Sequence, residues 1–123
     1  MRRASNLLAR RSHSAAELTA KIARTTSGTE AADAVADLVA LGYVDDLRHA
    51  REHADRRLAQ GWGPARIVDD LETAGVAAGV IAEALAQIGR EALAAAAARA
   101  VGDREGAVAA RRLTARGFDI DDR

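Results

Sequence analysis

Three times in this chain a leucine is followed four residues later by glycine and then by a large apolar residue: Leu38-Gly42-Tyr43, Leu71-Gly75-Val76 and Leu113-Gly117-Phe118. Each leucine closes an amphipathic run. Glycine then supplies a left-handed turn, and the next side chain folds back onto the leucine. The stops end runs too short to bury their own apolar faces, so neighbouring units must stack. The residues before two of the stops match as well. Pro64 to Val76 aligns with Gly106 to Phe118 at an offset of 42 positions, and Ala15 to Ile22 aligns with Pro64 to Leu71 at an offset of 49. These repeats predict an all-α, elongated tandem array of three-helix units.

The predicted units are residues 1–44, 45–88 and 89–123, and the last is expected to be incomplete. After the stop at Gly117-Phe118 the sequence ends in Asp119-Ile120-Asp121-Asp122-Arg123, and these five residues cannot form a stable helix alone. Phe118 and Ile120 are therefore expected to lack part of their cover, making the third unit the least stable. Helices are predicted over about 4–11, 15–25, 30–41, 45–60, 64–74, 77–88, 90–101 and 104–116. Ser14-Ala15-Ala16-Glu17 is a capping box in which serine and glutamate each satisfy a free backbone donor. Pro64 suits a first helical position, and Trp62 is placed to staple onto Ile67. Alanine forms about a quarter of the chain and aromatics 2%. Such helices approach closely through small side chains.

Several function classes are disfavoured. The chain has no cysteine, which excludes disulfide scaffolds and cysteine zinc sites. Its formal net charge is zero, so no global field draws it to nucleic acid. The longest apolar run, Ala92 to Ala98, is too short to span a membrane. The first sixteen residues are basic and acid-free, as in a transit peptide, but their leucines also fit the start of the first unit. A cytoplasmic monomer is expected.

His49-Ala50-Arg51-Glu52-His53 matches the H-x-x-E-H zinc pattern, with both histidines on one helical face and a glutamate as base. Zinc chemistry also needs a third ligand. Glu72, Glu83 and Glu91 are available, and nothing singles one out. The alternative is two histidines lining a helix interface. Arg48, Glu52, Asp55 and Arg56 form a mixed-charge outer face. Trp62 either staples a helix start or, beside Arg66, contacts a partner.

Four blocks of the chain together resemble the RecX family of bacterial regulatory proteins. They are Leu8-Ala9-Arg10-Arg11-Ser12-His13-Ser14 leading to Glu17-Leu18 and Lys21-Ile22; Gly42-Tyr43-Val44-Asp45-Asp46 with Arg48, Ala50 and Arg51; Gly61-Trp62-Gly63-Pro64 with Arg66-Ile67, Leu71 and Gly75-Val76; and Arg116-Gly117-Phe118. The resemblance implies tandem three-helix repeats that bind RecA, usually as its filament on DNA, and inhibit its ATPase, strand-exchange and coprotease functions. It implies a role in recombination, DNA repair and the SOS response, with no enzymatic activity and no cofactor. The family usually has proline at Ser12, phenylalanine at His49 and an aromatic at His53, so both histidines read as replacements for core aromatics.

The expected partner is RecA or the RecA–DNA filament, with weak direct DNA binding. The expected contacts are Arg48, Arg51, Arg56, Arg57, Trp62 and Arg66. A helical DNA-binding module acting without RecA is the alternative reading, and a zinc hydrolase using His49, Glu52 and His53 is the remote one.

Overall fold

The structure, a computed structural model, describes residues 12–119. The helix expected over about 4–11 and the expectation for Ile120 fall outside the described residues. Within them lie seven helices: α1 (Ala15–Ala23), α2 (Gly28–Ala40), α3 (Asp46–Ala59), α4 (Pro64–Thr73), α5 (Ala78–Ala86), α6 (Arg90–Val101) and α7 (Gly106–Ala115). No strand occurs among the described residues. The fold is an all-α helical repeat array.

The helix stops have the expected chemistry. Gly42, Gly75 and Gly117 all take positive φ, near +80° to +88°. The following amide reaches back to the leucine carbonyl in each: Tyr43 to Leu38 at 2.9 Å, Val76 to Leu71 at 3.0 Å and Phe118 to Leu113 at 2.9 Å. A fourth stop of the same geometry closes α3, where Gly61 is also left-handed and the Trp62 amide bonds the Arg57 carbonyl at 3.0 Å. Arginine stands there in place of leucine, which hides the stop from a search for apolar pairs.

The side-chain part of the expectation fails at Tyr43. Tyr43 is 60% exposed, while Val44 is 3% exposed and joins the core beneath α2. Backbone bonding is satisfied whichever residue follows glycine, so the apolar contact is free to pass to the next residue.

Two cores result. Leu18, Ile22, Ala31, Val35, Leu38 and Val44 form one between α1 and α2. The other gathers Ala50, Ala54, Leu58, Ile67, Leu71, Val76, Ile81 and Ala84 from α3 to α5, with Ala96 of α6. The repeat at offset 49 is visible in burial, since Leu18 and Ile22 in α1 occupy the roles of Ile67 and Leu71 in α4.

Phe118 is partly covered, in line with the expectation that some of its cover is missing. The ring is half-buried and packs against the larger core. The α7 exit is tied to the α4 start by two backbone bonds, Gly63 N–H to the Arg116 carbonyl (2.7 Å) and Ala65 N–H to the Gly117 carbonyl (3.0 Å). Gly63 caps α4 without a side-chain bond, so these carbonyls satisfy donors that a helix start otherwise leaves open.

The junction between the two cores is polar. Ser14 is fully buried; its hydroxyl donates to the Ala74 carbonyl (2.6 Å) and accepts from the Glu17 amide (3.0 Å), completing the capping box. The Ala15 amide donates to the Asp46 carboxylate at 2.8 Å. A Cβ on Gly75 would come within 2.7 Å of the Ala16 Cβ, so glycine there serves both the turn and the close approach of α1.

Candidate partner-binding surface

Helix α3 divides its residues by face. His49, Ala50, Ala54 and Leu58 are buried, whereas Arg48, Arg51, Glu52, Asp55 and Arg56 are exposed. The expected mixed-charge outer face is therefore present. Arg48 reaches back to the carbonyls of Gly42 (3.4 Å) and Tyr43 (3.1 Å), which places a cation at the exit of α2.

Between the two faces, His53 and Arg57 meet Asp70 of α4. Asp70 accepts from His53 Nε2 (2.7 Å) and Arg57 Nε (2.8 Å) through one oxygen and from Arg66 Nε (2.9 Å) through the other. Burial pushes the Asp70 carboxyl up, but the bonds from His53, Arg57 and Arg66 outweigh it and hold the pKa below the usual carboxylate value. Trp62 lies beside this cluster, with the guanidiniums of Arg66 and Arg116 stacked over its ring at 4.5 and 4.0 Å from the centroid.

Of the six residues nominated from sequence, Arg57 and Arg66 share Asp70, Trp62 stacks under Arg66, and Arg56 joins through a 3.3 Å contact to His53 Nδ1. Arg48 and Arg51 stand apart on the outer face. Asp70, the hub, was not among the six. Its one local signal is the i,i+4 spacing to Arg66. A cleft of about 410 Å³ opens here, lined by Glu17, His49, His53, Arg56, Arg57 and Asp70 among others.

The zinc reading finds no support in this geometry. His53 Nε2 is engaged by Asp70, and His49 bonds Ser12 Oγ through Nδ1. Glu52 is exposed while His49 is buried. Among the described residues no group of three metal-capable side chains converges. The two rings instead stack, with centroids 6.4 Å apart.

Residues 45–85 match the family model described as RecX, second three-helix domain. The Regulatory protein RecX of Thermus thermophilus is 36% identical over 114 residues, covering 93% of this chain and 80% of that protein. The chain belongs to the RecX family. RecX proteins of Stenotrophomonas maltophilia and Pseudomonas savastanoi pv. phaseolicola are 40% identical over 86 residues and 36% identical over 89. The chain spans 53% and 57% of their lengths. All six nominated contacts and Asp70 lie within the segment matching the second RecX domain. No helix among the described residues is long and apolar enough to cross a membrane.

His49 gives this RecX chain a pH dependence. Burial of the ring lowers its pKa; Glu17 and Asp46 oppose this, while His53 and His13 add to it. The unfolded chain therefore binds the proton first as pH falls below about 6.5, and stability declines from there toward the lower folded-state value. His49→Gln should flatten the slope of thermal midpoint against pH between about 7.5 and 5.5. An unchanged slope would show that another group sets it.

Proposed function

We propose that this chain acts by binding RecA or the RecA–DNA filament in the cytoplasm and slows its ATP hydrolysis, strand exchange and coprotease activity, without catalysis or a cofactor of its own. The observation that carries the reading is the convergence of Arg56, Arg57, Trp62 and Arg66 around Asp70 within the segment that matches the family's second domain. Stacked repeats would touch several filament protomers at once, so individually weak contacts add through multivalency. Zero net charge argues that DNA phosphates alone do not supply the affinity.

The test is ATP hydrolysis by RecA on single-stranded DNA with increasing amounts of this protein. Hydrolysis should slow. Charge reversal should be made at Arg51 and Arg56, which are exposed; Arg57 is committed to Asp70, and its reversal would disturb the cleft itself. The double variant should inhibit less while keeping its helical circular dichroism. No effect of the wild-type protein at several-fold excess over RecA would sink the proposal.

A further inference from the structure

Charge and exposed apolar surface are concentrated together at α2. From Thr25 to Leu47 the chain carries five acids, Glu30, Asp33, Asp37, Asp45 and Asp46, and no basic residue. Glu30, Asp33 and Asp37 are exposed and recur at i, i+3 and i+7, so they share one face of α2. Beside them Ala32, Ala36 and Val39 form a second exposed stripe at i, i+4 and i+7. Of the four large hydrophobic side chains exposed among the described residues, three stand at the exit of this helix: Val39 (47%), Leu41 (68%) and Tyr43 (60%). A hollow of about 440 Å³ opens there, lined by Ala15, Val39, Gly42 and Val44 with Asp45 and Asp46. Asp45 and Asp46 accept the backbone amides of Arg48 (3.1 Å) and Ala15 (2.8 Å). None of the five acids has an ion pair among the described residues. The base that ends the acidic run, Arg48, is turned onto the Gly42 and Tyr43 carbonyls.

We propose that this face of α2 docks a basic amphipathic helix of a partner protein. The partner's apolar stripe lies along Ala32, Ala36, Val39 and Tyr43, where the alanines let two helices approach closely. Its lysines or arginines face Glu30, Asp33 and Asp37. One long basic side chain enters the hollow, with its aliphatic stem against Val39 and its cation at Asp45 and Asp46. Carboxylates at this density repel a nucleic acid strand, and exposed apolar groups rimmed by charge mark protein contacts. A second copy of this chain fits less well, since Arg48, Arg57, Arg66, Arg99, Arg104 and Arg112 already donate to internal acceptors. The surface is separate from the group of Arg56, Arg57, Trp62 and Arg66, and it does not depend on the RecA reading.

The test is fluorescence anisotropy of three labelled peptides titrated with the full chain. One is a leucine–lysine peptide with leucines at helical i, i+3, i+4 and i+7 spacing; the second has the same composition scrambled; the third carries glutamate for lysine. The first should bind saturably and weaken as salt rises, and the other two should not bind. Asp33→Asn with Asp37→Asn should weaken binding about tenfold or more, and so should Val39→Ser with Tyr43→Ser. All four residues are exposed, so circular dichroism should be unchanged. Glu52→Gln with Asp55→Asn makes the same change in charge on the outer face of α3 and should have no effect. No saturable binding, equal binding of the scrambled peptide, unchanged affinity in the Asp33/Asp37 variant, or an equal loss in the Glu52/Asp55 variant would each overturn the proposal. Sedimentation velocity showing a dimer that Val39→Ser with Tyr43→Ser dissociates would assign the face to a second copy instead. Tighter peptide binding after Arg10→Gln with Arg11→Gln would assign it to the chain's own first residues; either result would overturn the reading of a partner protein.

Discussion

Leu71→Ala should lower the unfolding free energy by roughly 2–5 kcal/mol, the range for deleting a buried leucine and leaving a cavity. Leu71 is 1% exposed and sits in the larger core with Ile67, Val76 and Ile81. Its carbonyl also takes the Val76 amide in the α4 stop, so relaxation of the backbone into the cavity is restrained. Domains of this size are stable by only about 5–15 kcal/mol, which makes the loss a large fraction of the total. Leu113, the counterpart 42 positions on, is only half-buried, and Leu113→Ala should cost clearly less. Urea denaturation of both variants checks the pair. A loss below about 0.5 kcal/mol for Leu71→Ala would show that it is not a core residue.

What the sequence made legible was local. The leucine–glycine stops, the Ser14 capping box and Pro64 at a first helical position depend on residues a few positions apart, and each has a recognisable side chain. Apolar spacing likewise placed Leu18, Ile22, Ile67 and Leu71 in cores. The Asp70 hub was not legible, because His53 and Arg57 reach it from another helix and many acids in the chain look alike. The fourth stop was hidden by Arg57 in the leucine position. The docking of α7 on α4 was hidden more deeply, since its bonds run between backbone atoms and have no side-chain signature. Its only trace is a pair of glycines.

Those glycines carry the second large effect. Gly63 has φ −101° and ψ −178°, extended backbone that alanine adopts without strain. A Cβ there, however, would lie 2.6 Å from the Gly117 carbonyl oxygen and 2.8 Å from the Phe118 ring. Backbone cannot yield as a flexible side chain can, so Gly63→Ala should push the α7 exit away from α4. Two backbone hydrogen bonds and part of the Phe118 burial would be lost, about 2–4 kcal/mol together. Gly117→Ala adds a left-handed φ of +88° to a Cβ only 2.8 Å from the Arg66 amide nitrogen, and should be at least as severe. Hydrogen exchange gives the direct readout. Amides at a helix start normally exchange quickly, but Gly63 and Ala65 donate to α7 and should be protected in the wild-type chain. In Gly63→Ala that protection should vanish at Ala65, while the amides of α1 and α2, which have their own core, keep theirs. Fast exchange at Gly63 and Ala65 in the wild-type protein, or unchanged protection at Ala65 in the variant, would show that α7 does not hold the start of α4.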